Sequence, residues 1–181
     1  RLNDGLIENC HVKNSSVECE NWTIGGVVGQ WNNGVIRGCS IEKSIITGYA
    51  GVGAIAGLAL NDGERTLENC SVKDCAIVKN GSFGGNFDKM FGTVLGALYN
   101  GKLVVKLNGC SVENTTINGV VSNDLCGFVA EGDKLFIDGY EFIADGVMSK
   151  DSNYYVSNLA GFNWFADQVN GGNTFAGKTV N

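Results

Sequence analysis

The side chains able to do chemistry in this chain are seven cysteines, one histidine and a scatter of carboxylates. An odd number of cysteines cannot pair completely within one chain. A zinc site needs closely spaced cysteine or histidine ligands, and neither a close cysteine pair nor a second histidine is present. His11 alone leaves a Ser-His-Asp triad or a His-Glu-x-x-His site incomplete. Glycoside hydrolysis needs two carboxyl groups roughly 5–9.5 Å apart across a groove. Asp62, Asp88, Asp124, Asp133 and Asp138 are the candidates. All lie on or near turns, where aspartate is favoured for backbone reasons alone. The reading is therefore no catalytic residue, no metal and no cofactor, and a chain that is not an enzyme.

Residues that could hold a ligand fall in two places. One is Lys79 to Met90, which reads Lys-Asn-Gly-Ser-Phe-Gly-Gly-Asn-Phe-Asp-Lys-Met and offers Phe83, Phe87, Asp88 and Lys89. It lengthens one repeat and is expected to project, and projecting loops often carry binding. A tolerated insertion explains it too, because added loop length costs little entropy. The other place is the aromatic C-terminal region with Tyr154, Tyr155 and Trp164, alongside Tyr140, Phe142, Phe162, Phe165 and Phe175. Exposed, these would form a platform for sugars or protein. Buried, they would close the end of a core, and several occupy slots that point inward elsewhere.

These residues need elements to position them, and internal repetition supplies the elements. The phrase Ile7-Glu8-Asn9-Cys10-His11-Val12 returns as Ile36-Arg37-Gly38-Cys39-Ser40-Ile41, Leu67-Glu68-Asn69-Cys70-Ser71-Val72 and Leu107-Asn108-Gly109-Cys110-Ser111-Val112. A fifth copy, Ile137-Asp138-Gly139-Tyr140-Glu141-Phe142, puts tyrosine in the cysteine slot. Val17, Ile46, Ile77, Ile117 and Val147 align further on, and a weak sixth copy begins at Asn173. Successive cysteine slots are 29, 31, 40 and 30 residues apart.

A second phrase follows each slot by about twenty residues: Gly26-Val27-Val28-Gly29, Ala54-Ile55-Ala56-Gly57 and Thr93-Val94-Leu95-Gly96. Gly127-Phe128-Val129-Ala130 and Asn158-Leu159-Ala160-Gly161 are looser versions. The apolar runs are short, β-branched and bounded by Gly, Asn and Asp, so they read as strands.

One copy cannot bury its own apolar face and must stack on the next. At about 4.8 Å per rung, equivalent residues lie over one another. The expected fold is all-β: a right-handed parallel β-helix, a single-stranded β-solenoid of five to six coils. One domain spans residues 1–181, with coils starting near 5, 34, 63, 101 and 134 and a partial coil from about 170. The Asn or Gly before each cysteine suits a bend of unusual backbone conformation. The cysteine column points inward, where a free thiol acts as a small apolar group. Whether Cys19, Cys75 or Cys126 enters a disulfide stays open. His11 shares an outward slot with Ser40, Ser71 and Ser111.

Charges give an independent check. Lys13, Glu42, Lys73 and Glu113 share one slot, and Glu8, Arg37 and Glu68 share another. Stacked in parallel, both columns alternate in sign, where like charges would repel.

The net charge of −6 offers no basic patch for nucleic acid. The longest apolar run, Gly51 to Leu60, is short and broken by glycine, so this segment is not expected to enter a membrane. The absence of proline suits strands paired on both sides. Asn-x-Ser/Thr sequons occur at Asn14, Asn21, Asn69, Asn80 and Asn114.

An Ile-x-Asn-Cys-x-Val phrase coupled to a Gly-Val-Val-Gly phrase resembles the GLUG-type repeats of bacterial secreted and surface proteins, over residues 5 to about 161. Such repeats occur in large adhesin-like chains and beside immunoglobulin A-specific metallopeptidases. The resemblance implies a right-handed β-helix, an extracellular or cell-surface location, and a non-catalytic stalk or binding surface. The expected role is thus an adhesin face or rigid structural spacer within a larger protein. Expected partners are a host glycan or protein ligand and the remaining coils of the parent chain. Two alternatives stand beside it: a carbohydrate-active β-helix (polysaccharide lyase or glycoside hydrolase) and a trimeric fibre-like domain.

Overall fold

A computed structural model describes all residues, 1–181, with half of them in strands and a single α-helix. The first repeat contributes β1 (Leu6–Glu8), β2 (His11–Lys13), β3 (Ser16–Glu18), β4 (Trp22–Gly25) and β5 (Val28–Trp31). The second gives β6 (Val35–Arg37), β7 (Ser40–Glu42), β8 (Ile45–Gly48), β9 (Ala50–Gly53) and β10 (Ala56–Ala59). The third gives β11 (Gly63–Glu68), β12 (Ser71–Lys73), β13 (Ala76–Lys79), β14 (Phe91–Gly92) and β15 (Leu95–Leu98). The fourth gives β16 (Leu103–Asn108), β17 (Ser111–Glu113), β18 (Thr116–Ile117), β19 (Val120–Val121) and β20 (Cys126–Val129). Then come β21 (Lys134–Ile137), β22 (Tyr140–Ala144), β23 (Val147–Lys150), β24 (Asn153–Val156) and one helix, α1 (Leu159–Asn170). No helix is long and apolar enough to cross a membrane.

Strands of each repeat pair in parallel with those of the next, in the register expected from the phrases. Ile7, Ile36, Leu67, Leu107 and Ile137 form one file. Val12, Ile41, Val72 and Val112 form a second, and Val17, Ile46, Ile77 and Ile117 a third. The middle members of all three are buried in one continuous core. The charge files also form: Lys13 lies 2.7 Å from Glu42, Arg37 2.7 Å from Glu8, and Lys73 2.8 Å from Glu113. Exposed pairs of this kind contribute about 0–1 kcal/mol each, so they specify register more than they stabilise.

Each repeat turns two similar corners. At the first, a left-handed residue (Asn9, Gly38, Asn69 or Gly109) precedes the cysteine, whose thiol points back to the carbonyl two residues earlier. At the second, Asn14, Lys43, Asp74 and Asn114 are left-handed and precede Ser15, Ser44, Cys75 and Thr115, which make the same backward bond. The cysteine slot is therefore a capping position for a small side chain, filled by sulfur at one corner and mostly by hydroxyl at the other. Cys39 and Cys70 are buried, Cys110 is half-buried and Cys10, on the outermost rung, is exposed.

The second phrase brings two sheets together backbone to backbone. A Cβ on Gly57 would stand 2.5 Å from the Gly29 carbonyl oxygen, 2.6 Å from that of Gly51 and 2.6 Å from the Ile24 nitrogen. Only glycine fits there.

The parallel stacking ends at β21, which corrects the expected fifth and partial sixth coils. Asp138 and Gly139 are both left-handed, the signature of a tight hairpin, where earlier repeats have one such residue and only bend. The chain reverses, so β22, β23 and β24 run as an antiparallel meander. Phe142 and Val147 leave their expected files, although Phe142 still packs on the core. Asn158-Leu159-Ala160-Gly161 is not a strand phrase but a helix start, with the Asn158 side chain accepting from the Gly161 N–H. The region from Asn173 adds no rung and meets the meander through a Val180–Tyr154 bridge.

Candidate functional site

The insertion does not project as expected. It folds back over the outer face of the β5–β10–β15–β20 sheet, because Leu58, Ala97 and Phe128 make an apolar file there that needs cover. Met90 is fully buried on Leu58 and Ala97, with Phe87 and Tyr99 packed alongside. Rings run on from it: Phe87 lies 4.6 Å from Trp22 and 5.8 Å from Tyr99, and Phe83 lies 5.5 Å from Trp22 and 5.6 Å from Tyr49. These rings are mutually tilted rather than coplanar, so they form a small packed core with Phe83 and Trp22 exposed at its rim.

Asp88 ties the insertion down. It accepts from the Ser82 hydroxyl at 2.7 Å and pairs with Lys79 at 3.0 Å. The Ser82 hydroxyl, and then Lys79, hold its carboxyl below the usual range. Asp88 is thus an anchor as well as a surface charge.

The C-terminal candidates form separate clusters. Tyr154 meets Phe175 at 5.2 Å and Trp164 at 6.3 Å, while Tyr155 packs edge-on to Tyr140 at 5.2 Å. These half-buried rings close the end of the molecule between meander, helix and tail.

The other turn aspartates are held locally. Asp133 accepts from the Asn100 and Leu103 N–H groups, Asp138 from the Gly109 N–H, and Asp62 from the Asn100 amide. His11, exposed, meets the Ser40 hydroxyl at 2.7 Å. No group of three or more His, Cys, Asp or Glu side chains is arranged to hold a metal ion.

The largest concavity, about 530 Å³, opens beside the insertion. It exists because the fourth repeat omits one strand. Repeats one to three each place a strand in the β4–β9–β14 sheet, but after Ile117 the left-handed pair Asn118-Gly119 turns the chain back as β19. Asp88 and Lys89 line this cleft, together with Asp124 and Asp145. Asp124 accepts from the Ser122 hydroxyl and Asp145 from the Asn158 amide. Asn118-Gly119, a strong hairpin dipeptide, is the sequence signal that marks this place.

Arg65 is a second feature that the repeat phrases do not single out. It is 2% exposed, and its guanidinium donates to the carbonyls of Trp31, Asn61 and Asp62, the first two at 2.7 and 2.8 Å. Its Nε has no partner, and its guanidinium carbon sits 5.8 Å from the centre of the Trp31 ring. The alternation Glu64 out, Arg65 in, Thr66 out, Leu67 in marks it as inward.

No family model matches this chain, and no curated protein or solved structure is detectably similar to it.

Proposed function

We propose that the chain is a segment of a right-handed parallel β-helix of the GLUG-repeat kind, lying in a larger surface or secreted protein. There it acts, without catalysis, as a rigid spacer that displays a binding face to a glycan or protein ligand. The carrying observation is the parallel register shared by four repeats, with aliphatic files aligned across all four rungs and the alternating Lys13, Glu42, Lys73 and Glu113 file beside them. The hydrogen bonds that tie Asp62, Asp133 and Asp138 to neighbouring turns support a structural use of those carboxylates.

The test is a glycan array and a partner pull-down with the intact parent protein, run beside small-angle scattering of this segment. Saturable binding to one ligand class by a rod-shaped segment supports the reading. A compact sphere, or no ligand in either screen, counts against it.

One observation favours a second reading, a carbohydrate-active enzyme: Asp88, Asp124 and Asp145 share one cleft. Release of reducing ends from a polysaccharide panel, abolished in Asp124→Asn, would establish that reading and remove the first.

A further inference from the structure

The omitted strand leaves two terminal strands beside a gap, with Thr93, just after β14, already donating to the Asp124 carbonyl. β14 is the terminal strand of its sheet, and Phe91 from it lines the cleft. β19 is also terminal, and its Val120 and Val121 are each 70% exposed in the cleft wall. Val121 stands opposite Thr116 next to a two-residue turn, with the Ser122 N–H bonded to the Thr115 carbonyl. That alternation turns the Val121 N–H and C=O away from β18, toward the free edge. Exposed apolar edge strands are liabilities that folds usually blunt with charge, proline or a covering segment. Here no proline or lysine lies on β19 itself.

We infer that this gap is a peptide-binding site, taking an extended segment of a partner protein that adds to the β14 edge as the missing rung. Strand addition uses main-chain hydrogen bonds for affinity and side-chain pockets for choice. The apolar floor of Phe91, Ile117 and Phe142 would take an aliphatic side chain. Beyond Asp88, which Lys79 already pairs, the rim carries Asp124 and Asp145 against Lys89, so the segment should be basic beside its apolar residue. A volume of about 530 Å³ lies within the usual range of ligand sites, roughly 300–1,000 Å³. The site stands whether or not the chain is a surface spacer, since it rests on the gap alone.

The probe is an acetylated peptide, Lys-Val-Ile-Val-Gly-Lys, titrated into the whole chain while backbone amide resonances are followed. Shifts concentrated at Phe91, Gly92, Val120 and Val121 are expected. Replacing both lysines of the peptide by glutamate should weaken binding about tenfold, and methylating alternate peptide nitrogens should abolish it. The Asp124→Asn/Asp145→Asn protein should lose about tenfold for the basic peptide alone. Absence of shifts at about millimolar peptide, shifts on other faces, or equal binding by the methylated twin each overturns the proposal. The peptide controls use unaltered protein, so the test remains decisive even where a variant misfolds.

Discussion

The side-chain oxygen of Asn9 lies 2.6 Å from where a Cβ on Gly38 would stand, and Asn69 holds the same relation to Gly109. Asparagine and glycine thus alternate along the first corner, the amide of one rung filling the space its neighbour leaves empty. Gly38 is also left-handed, at φ +61°. Gly38→Ala should therefore cost about 2 kcal/mol, from the left-handed penalty plus displacement of Asn9. Urea unfolding of the variant measures this, and a midpoint unchanged from the parent would refute the corner account.

Arg65 satisfies carbonyls from two neighbouring turns inside the stack. Arg65→Met keeps the aliphatic stem but removes the side-chain donor to the Leu60 and Asn61 carbonyls, while the Trp31 oxygen keeps its bond from the Leu60 N–H, so a loss of about 2 kcal/mol is expected. Arg65→Lys should recover only part of it, because an ammonium cannot span the same fork. A methionine variant within about 0.5 kcal/mol of the parent would show that the guanidinium serves little structural purpose.

Thiol chemistry should follow position in the file. Cys10 is exposed, whereas burial pushes Cys70 up to about 12 and Cys110 up to about 11. At mildly alkaline pH, a thiol reagent should label Cys10 first and Cys70 only on unfolding. A folded pKa above the unfolded one gives stability that is complete below the unfolded value, roughly 8.5, and falls as pH rises toward the folded one. The slope is at most about 1.4 kcal/mol per pH unit for each such thiol, and Cys70→Ala should reduce it. Early labelling of Cys70 would contradict its burial.

Asp88 behaves oppositely. Its folded pKa is lowered, so its contribution is present above the unfolded value, about 3.9, and disappears as pH falls through the folded one. Acid should therefore loosen the insertion, seen as a lower amide protection factor at Gly84, whose N–H donates to the Ser82 hydroxyl. Asp88→Asn should bring part of that change to neutral pH. Unaltered protection in both experiments would remove Asp88 as the anchor.

The parallel rungs were legible because every file repeats one chemistry: Ile7 over Ile36 over Leu67, and Lys13 over Glu42 over Lys73. Periodicity cannot announce where it stops. Asp138-Gly139 differs from Gly109 by one extra left-handed residue, and that single difference turns a bend into a reversal. The cleft was half legible. Asp88, Lys89 and Asp124 stood out as residues, but their gathering needed the Asn118-Gly119 reversal that deletes a strand. Asp145 and Phe142 reach it through the meander, whose path followed from no repeat.

The two ends of the ladder differ in kind. At the first repeat, β1, β2, β3 and β4 each terminate a sheet with one side unpaired. At the opposite end the backbone reverses direction and Phe142 seals the interior. Further parallel rungs can therefore be received in register below β1 to β4, whereas at the far end only β14, β17 and β20 still offer a parallel template and the other two sheets are closed by antiparallel strands.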